Sequence, residues 1–294
     1  MDEPLVVYKT LPRWTAESLP AAFRRRHNTK AGTWAKLTIL AGRLRFYALG
    51  ESGEVQSTEE YSAEKPPPFI EPEAWHRVEP ASADLQCELA FYCRPEHYFE
   101  KKYGLSAPHS AVVEAAKYIA GGDALDLGCG PGRNSLFLAS RGFRVSALDH
   151  AETALKKLRE IIATEDQIQE IEPRLYDISA ASIEGNFDLI LSTVVLQFLP
   201  AVVVPAVVGN MQAHTRPGGI NVIVAPMSTQ AAPCPIDWPF TFKAGELRDY
   251  YSGWEKHFDQ EAPGTFQRLD ENGDPYRALF ATMIAKKPAG GKSV

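Results

Sequence analysis

Cysteine is scarce in this sequence, and none of the four residues, Cys87, Cys93, Cys129 and Cys234, forms a C-x-x-C pair with another. The sequence therefore predicts neither a zinc site nor a disulfide framework, and a reducing cytoplasm is the location we expect. The opening stretch, MDEPLVVYKTLPRW, begins with acidic residues and lacks an apolar core of signal-peptide length. It predicts no secretion signal.

Basic residues are too few to form a long positive run. Lys and Arg total 31 against 37 Asp and Glu, so the formal net charge is −6. Because a nucleic-acid partner requires a basic face on the protein, we expect no nucleic acid as a partner. The sequence expresses no preference for an oligomeric state.

Charge is absent from residues 189–209, a stretch long enough to span a membrane. Pro200 and Pro205 interrupt it, and polar residues such as Gln197 lie inside it. We interpret this stretch as a buried strand, a loop and the start of a helix, because prolines break a continuous spanning helix. No membrane partner is expected.

Residues 1–94 predict a small all-β domain. The stretch GTWAKLTILAGRLRFYAL has two apolar runs around an Ala41-Gly42 turn, and LQCELAFYC alternates before Pro95. Short strands at close spacing are typical of a small sandwich or barrel.

Residues 95–288 predict a second domain of the α/β class. Pro95 and Gly104 bracket a short helix, and SAVVEAAKYIAGG has helical spacing that closes on glycine. Strands such as RLYDI, FDLILSTVV and GGINVIVAPM then alternate with helices. This alternation predicts a parallel sheet covered on both faces. Residues 289–294 are expected to form a disordered tail.

A glycine-rich turn follows the predicted strand ALDL. Its glycines have the spacing G-x-G-x-G over residues 128–132, whereas a dinucleotide fingerprint, G-x-G-x-x-G, would need glycine at Arg133. Asp126 adds a carboxylate two residues before the first glycine. The combination resembles motif I of class I S-adenosylmethionine methyltransferases, in which Gly128 and Gly130 let the backbone lie against the ligand.

S-adenosyl-L-methionine is therefore the predicted cofactor. The helix beginning near Arg133 directs free N–H groups towards the carboxylate of this ligand, and Arg133 or Asn134 can add a direct contact. Asp149 is placed to accept both ribose hydroxyls, and Asp177 to accept the adenine amino group. Ordinary helix capping is the alternative for both carboxylates. The predicted cofactor-binding set also includes His150, Ile178 and Thr193.

Several longer strings occur in order along the chain: HNTKAGTWAKLTILAGRLRFY, PEAWHRVE, YFEKKYG, DLGCGPGRNSL, STVVLQFL, RPGG and FATMIAKK. Together they resemble the TehB tellurite-resistance methyltransferases, in the long form that has a cupin-like β domain first. The resemblance runs from about Tyr8 to Lys287. It implies a class I methyltransferase fold, with a Rossmann-like, mostly parallel sheet ending in an antiparallel hairpin. It also implies a cytoplasmic enzyme that methylates tellurite, and often selenium oxyanions.

The hairpin of this family carries a His-Arg pair and a later Arg on the substrate side of the cofactor. Here the string FQRLDENGDPYRA keeps Arg268, but Gln267 and Pro275 replace the other two, and Arg277 lies two residues further on. An oxyanion substrate requires cations, so Arg268 and Arg277 are the predicted catalytic residues. Solvated charge on a hairpin is the alternative interpretation.

Histidines in the first domain are too few to predict a metal site. His27 and His76 resemble cupin metal ligands, but the paired His-x-His of a cupin is absent. Hydrogen-bonded structural histidine is the interpretation we prefer, and no metal is predicted. Cys129 and Cys234 are likewise interpreted as structural.

Two clusters of aromatic residues can either cover the cofactor or pack locally within the protein. The first is Trp238, Phe240 and Phe242 in a proline-rich loop, and the second is Tyr98, Tyr103 and His109 at the domain junction.

The departures at Gln267 and Pro275 leave two functional alternatives open. One is a methyltransferase for a small organic acceptor, such as a thiol, an amine or a carboxylate. The other is a non-enzymatic sensor that binds the cofactor or the oxyanion, since no catalytic base is evident in the sequence.

Overall fold

A computed structural model describes residues 4–165, 168 and 170–289 of the chain. The chain divides into two compact units, which separate after Gly104. The predicted domain boundary at residue 94 lies one short helix earlier and stays a prediction. The predicted tail, 289–294, lies outside the described residues apart from Ala289.

The first unit consists of antiparallel strands. They are β1 (Val6–Thr10), β2 (Trp14–Thr15), β3 (Trp34–Ala41), β4 (Leu44–Leu49), β5 (Val55–Tyr61), β6 (His76–Pro80) and β7 (Gln86–Cys93). Strand β7 pairs with β1, β2 and β3 in one sheet, and β4 pairs with β5 and β6 in another. The two apolar runs around Gly42 therefore join different sheets.

Alternate side chains of these strands form the core of the first unit. Leu37 and Ile39 on β3, Leu44 on β4 and Leu89 on β7 are all buried. A 3₁₀ turn, Pro95–His97, and α1 (Tyr98–Tyr103) follow, and the helix ends at Gly104 with a left-handed φ of 65°. The all-β prediction is confirmed, whereas the likeness to cupins stays a prediction.

The second unit alternates strands and helices around one sheet. Its elements are α2 (Ser110–Ala115), β8 (Gly122–Leu127), α3 (Arg133–Ser140), β9 (Phe143–Asp149), α4 (Glu152–Ile162), β10 (Ile171–Leu175), β11 (Phe187–Thr193), α5 (Val204–His214), β12 (Thr215–Met227), α6 (Glu246–Tyr250), β13 (Glu255–Leu269) and β14 (Pro275–Lys286). The strand order is β10-β9-β8-β11-β12-β14-β13. Strands β8 to β12 are parallel, and β14 runs antiparallel to both of its neighbours. The predicted parallel sheet with an antiparallel hairpin is confirmed.

The third parallel strand ends earlier than the string RLYDI predicts. Strand β10 stops at Leu175, which pairs with Asp149, the last residue of β9. Beyond this pair the backbone leaves the sheet, and Asp177 accepts a hydrogen bond from the Ser179 N–H at 2.9 Å. Asp177 therefore caps a 3₁₀ turn, Ile178–Ala180, instead of ending a strand.

The apolar stretch 189–209 folds as the sequence predicts, into most of β11, two 3₁₀ turns and the start of α5. No helix in the described part of the chain is long and apolar enough to cross a membrane.

A buried chain of hydrogen bonds joins α5, β12 and α6. The Tyr251 hydroxyl donates to Asn221 Oδ1 at 2.9 Å, and the Asn221 amide donates to Thr215 Oγ1 at 2.6 Å. The Thr215 hydroxyl then donates to the Met211 carbonyl at 2.7 Å. Burial raises the pKa of Tyr251, so its hydroxyl remains a donor. The network ties the end of α6 to β12 and, through Thr215, to the end of α5.

We expect Tyr251→Phe to lower the free energy of unfolding by about 1–3 kcal/mol, because Asn221 Oδ1 would be left buried without its donor. Urea denaturation of the full chain measures the change. Tyr250→Phe is the matched control on a half-buried neighbouring ring, and it should change stability by less than about 0.5 kcal/mol. Equal losses in the two variants would show that the buried bond contributes nothing specific.

Candidate active site

A cavity of about 990 Å³ opens at the carboxyl ends of the parallel strands in the second unit. Its wall is formed by the start of α2, the turn after β8, the ends of β9 and β11, and one face of the β13–β14 hairpin. Ligands of open α/β sheets bind at this edge. The volume lies at the upper end of the range for small-molecule sites, roughly 300–1,000 Å³.

The glycine turn brings bare backbone to the cavity. Gly128 has a φ of 77°, and a Cβ there would lie 2.4 Å from the Val195 side chain. Gly132 has a φ of 91°, and a Cβ there would lie 2.4 Å from Leu158 of α4. Only glycine fits these two positions. Between them Gly130 faces open space, so a ligand can lie directly against its backbone.

Asp149 joins the end of β9 to this turn. Its carboxylate is 7% exposed and accepts one hydrogen bond from the Gly130 N–H at 2.7 Å and one from the Ala151 N–H at 2.8 Å. Each oxygen keeps a second lone pair, so both can still accept from a ligand hydroxyl. Because α4 has Ala151 as its N-cap, with no side-chain cap, Asp149 does not cap that helix.

Asn134 braces the cavity wall. Its side chain is buried, its amide nitrogen donates to Thr193 Oγ1 at 2.9 Å, and its Oδ1 accepts from the His109 N–H at 2.9 Å. One residue at the start of α3 therefore joins the end of β11 to the start of α2. Its contribution to the site is mainly to hold these three segments together.

Arg133 places an uncompensated cation in the cavity wall. The side chain is half-buried, which lowers the pKa of its guanidinium. Among the described residues no hydrogen bond or ion pair to Arg133 is found, although the buried Asp126 attracts it at longer range. A half-buried cation without a partner favours an anionic ligand group beside it.

Asp126 lies beneath the turn, not in the cavity wall. It is 1% exposed, its Oδ2 accepts from the Ser135 hydroxyl at 2.7 Å, and its Oδ1 has no hydrogen-bond partner among the described residues. Burial raises the pKa of this carboxyl to about 6. A direct cofactor contact of Asp126 therefore stays a prediction that this arrangement does not favour.

Eight of the ten predicted cofactor-binding residues line the cavity: Gly128, Gly130, Arg133, Asn134, Asp149, His150, Ile178 and Thr193. The other two, Asp126 and Asp177, do not. Asp177 is exposed because it caps its turn, and its neighbour Ile178 faces the cavity instead.

Val194, directly after β11, holds a strained backbone at the cavity. Its φ is 58°, which is unfavourable for a β-branched side chain. The Val194 N–H donates to the Val224 carbonyl at 2.7 Å, and the Gln197 amide donates to the Val194 carbonyl at 3.0 Å. Strain fixed in this way is concentrated at functional sites.

The two predicted catalytic arginines lie outside this cavity. Gln260 and Thr282 of the hairpin line the cavity, whereas Arg277 does not, although its cross-strand partner Thr265 does. Arg277 lines a neighbouring cavity of about 380 Å³. Arg268 is exposed, with its guanidinium 6.0 Å from the Tyr276 ring centre. The catalytic role of both stays a prediction, and the Gln267 side chain lies outside the described residues.

The three aromatic residues of the proline-rich loop, Trp238, Phe240 and Phe242, do not all have the same role, so neither interpretation, a cover over the cofactor or local packing, fits all three. Phe240 and Phe242 are buried in the core and contact each other at 4.8 Å, which is local packing. Trp238 instead contacts Phe198 and Phe266, two cavity residues that the sequence did not single out. Only the pairing of the hairpin reveals which of its faces meets the cavity.

Neither the cavity cysteine nor the predicted structural histidines form a reactive centre. Burial raises the pKa of the Cys129 thiol, so it stays protonated. In the first unit the ring centres of His27 and His76 lie 4.1 Å apart with their planes tilted by 58°. Each Nδ1 hydrogen-bonds a backbone carbonyl, and burial lowers the pKa of His76 to about 4. Within the described residues no group of three or more His, Cys, Asp or Glu is arranged to hold a metal ion.

The second aromatic cluster, Tyr98, Tyr103 and His109, is divided between the two units. Tyr98 and Tyr103 belong to the first unit, on α1. His109 lines the cavity and caps α2, where its Nδ1 accepts a hydrogen bond from the Ala111 N–H at 3.2 Å.

Both parts of the chain match known family models. Residues 91–284 match "Tellurite resistance protein TehB", and residues 9–89 match the "TehB-like domain". A Haemophilus influenzae relative (strain ATCC 51907 / DSM 11121 / KW20 / Rd), "Probable S-adenosyl-L-methionine-dependent methyltransferase TehB", is 48% identical over 287 residues, 98% of this chain and 100% of the relative. The chain belongs to the TehB family.

Two further likenesses extend this assignment. The crystal structure of TehB from Haemophilus influenzae has a TM-score of 0.95 at 48% identity, covering 98% of this chain and 100% of that one. "Hemagglutinin 1" of Eikenella corrodens is 44% identical over 217 residues, 74% of this chain and 72% of the relative.

The TehB assignment confirms the class I methyltransferase fold behind an all-β domain, the enzyme class and S-adenosylmethionine as the cofactor. The alternative of a non-enzymatic sensor is therefore wrong. The residues present fit this cofactor. The open backbone at Gly130 suits its amino-acid chain, and the free lone pairs of Asp149 suit its ribose hydroxyls. Arg133, which has no hydrogen-bond or ion-pair partner among the described residues, suits its carboxylate.

We expect Arg133→Gln to weaken the binding of S-adenosylhomocysteine about 10- to 150-fold, the value of a lost charge-assisted hydrogen bond. Binding of 5′-methylthioadenosine, which lacks the amino-acid carboxylate, should be unchanged. Calorimetric titration with each ligand measures both constants. An equal loss for the two ligands would mean that Arg133 does not recognise the carboxylate.

Asp149→Ala is the matched comparison, since both ligands carry the ribose. This variant should weaken the binding of both ligands by about 1–3 kcal/mol, because the ribose hydroxyls lose a hydrogen-bond acceptor. A thermal melt without ligand checks that loss of the bond to the Gly130 N–H has not unfolded the variant.

Proposed function

We propose that this TehB-family enzyme methylates tellurite, and also selenium oxyanions, in the cytoplasm. The match of residues 91–284 to the tellurite-resistance family model is the observation that carries the proposal. The four cysteines are free, which is compatible with a reducing compartment.

Tellurite carries its own lone pair and needs no catalytic base. S-adenosylmethionine supplies an electrophilic methyl group. A lone pair on tellurium forms the new bond to that carbon, the carbon–sulfur bond breaks, and its electron pair goes to sulfur as tellurium rises from oxidation state IV to VI. The chain has to align the reactants, which is the main source of rate in such a step.

The test is release of S-adenosylhomocysteine by the purified full-length enzyme with tellurite, selenite and a small panel of aliphatic thiols, amines and carboxylates. We expect release with tellurite, and head-space analysis follows any volatile product. Robust release with the organic panel and none with tellurite would overturn the proposal.

The oxyanion also requires cations, and we propose Arg268 and Arg277 on the hairpin. Both are exposed, and Arg277 borders the smaller cavity, which shares Thr265 with the main one. Asp270 and Asp274 also line that smaller cavity, so these acidic neighbours partly neutralise the positive charge of Arg277. Arg268 is therefore the stronger candidate.

We expect Arg268→Ala to lower kcat/KM for tellurite by about 10-fold, the lower end for a charge-assisted hydrogen bond, because the side chain is exposed. Arg268→Lys should keep part of the activity, since it keeps the charge but loses the planar fork. Arg174→Ala, at an exposed position on β10, is the control and should have no effect. Full activity in Arg268→Ala would remove this residue from the substrate site.

We also propose that residues 1–94 are dispensable for methyl transfer. Every residue that lines the cavity belongs to the second unit. A chain beginning at Arg94 should fold and release S-adenosylhomocysteine with tellurite. A folded fragment that binds the cofactor yet cannot transfer the methyl group would show that the β domain completes the active site.

A further inference from the structure

The hairpin side of the cavity carries a continuous series of aromatic rings. Phe198 contacts Trp238 at 4.9 Å between ring centres, Trp238 contacts Phe266 at 5.8 Å, and Phe266 contacts Phe280 at 5.0 Å. These four residues form what we term the aromatic wall. Phe198, Phe266 and Phe280 line the cavity, with Trp238 packed against Phe198 and Phe266.

The backbone of β13 is shaped to seat one of these rings. A Cβ on Gly264 would lie 2.8 Å from the Phe280 ring, so glycine lets that ring pack directly on the neighbouring strand. Phe198, by contrast, is 57% exposed at the cavity. An exposed large apolar side chain beside a cavity is typical of a ligand site, because a bound apolar molecule removes it from water.

This wall does not suit a small oxyanion. An oxyanion requires hydrogen-bond donors and cations, whereas rings present apolar edges and electron-rich faces. The cavity is also large, at about 990 Å³. The features that suit the cofactor, the glycine turn, Arg133 and Asp149, belong to other walls of the cavity, and the polar residues on the hairpin are the uncharged Gln260, Thr265 and Thr282. The wall therefore offers surface that neither the cofactor carboxylate nor tellurite would use.

Three titratable side chains of the cavity, His109, Glu114 and Asp149, already accept hydrogen bonds from the protein. Burial lowers the pKa of His109 to about 4, and its Nδ1 is occupied by the Ala111 N–H. The Glu114 carboxylate accepts from Lys117 and Tyr118, and Asp149 accepts from two backbone N–H groups. His150 also lines the cavity beside Asp149, with 3.5 Å between its Nδ1 and Asp149 Oδ1. An acceptor that arrives already ionised needs none of these groups to remove a proton.

We propose that the aromatic wall is an acceptor subsite for a flat aromatic molecule with an ionised sulfur or oxygen, which this enzyme methylates on that atom. A lone pair of the thiolate or phenolate forms the bond to the methyl carbon, the carbon–sulfur bond of the cofactor breaks, and its electron pair stays on sulfur. The products are the neutral methylated acceptor and S-adenosylhomocysteine. No proton has to be moved in this step.

Release of S-adenosylhomocysteine by the full-length enzyme at pH 8 tests the proposal with three probes. Thiophenol is aromatic and ionised, benzyl alcohol is aromatic but not ionised, and 2,2,2-trifluoroethanethiol is an aliphatic thiol acidic enough to be ionised at this pH. We expect turnover with thiophenol, none with benzyl alcohol, and a kcat/KM for 2,2,2-trifluoroethanethiol about tenfold lower, since it lacks ring contacts. No release with thiophenol would overturn the proposal, as would equal efficiency for the two thiols.

Variants locate the subsite. Phe198→Ala should raise the KM for thiophenol about 5- to 10-fold, the worth of one aromatic contact, and lower kcat/KM for thiophenol more than for tellurite. Phe280→Leu keeps an apolar side chain and should fold. It should likewise raise the KM for thiophenol and lower kcat/KM for thiophenol more than for tellurite. Val202→Ala is the matched control, because this side chain is 84% exposed and does not line the cavity.

Equal losses for thiophenol and tellurite in both wall variants, or an equal loss in Val202→Ala, would overturn the subsite. Tellurite is assayed on the same preparations. Failure with tellurite alone would remove only the oxyanion proposal, and failure with thiophenol alone would remove only this one.

Discussion

The site depends on one buried amide. Asn134 is 3% exposed, and its side chain bonds both Thr193 at the end of β11 and the His109 N–H at the start of α2. A buried amide left unpaired is costly, so these three segments can move apart only by breaking the network. The start of α3, and with it the glycine turn and Arg133, is thereby held against the end of β11.

The cavity combines two environments of opposite character. On one side lie open backbone, the lone pairs of Asp149 and the unpaired Arg133, which together suit a zwitterionic nucleoside ligand. On the other side lie the aromatic wall and the hairpin. Val194, which has a strained φ of 58° directly after β11, also lines the cavity. Such a division suits an enzyme that aligns two different molecules and leaves the proton chemistry to the substrate.

Much of the second unit could be predicted because its signals are local. The G-x-G-x-G spacing, the residue Arg133 in place of a third fingerprint glycine and the strand ends at Asp149 and Thr193 all follow from short-range pattern. The end of β10 was wrongly predicted at Asp177, because it depends on where the partner strand β9 ends. The depth of Asp126 beneath the turn leaves no trace in the sequence, and the cofactor contacts of both carboxylates stay predictions. Which residues of the hairpin meet the cavity depends on its pairing with β12.

The sequence by itself determined the order of elements, the cofactor class and the family, because each rests on spacing between near neighbours. The tertiary structure decided three matters that depend on contacts between distant segments. It left Arg133 without a hydrogen-bond or ion-pair partner among the described residues, placed Arg277 at the smaller cavity, and brought Phe198, Trp238, Phe266 and Phe280 into one wall. The physical reason is that burial and pairing are properties of the packed sheet, and strand register fixes them only when the whole chain has folded.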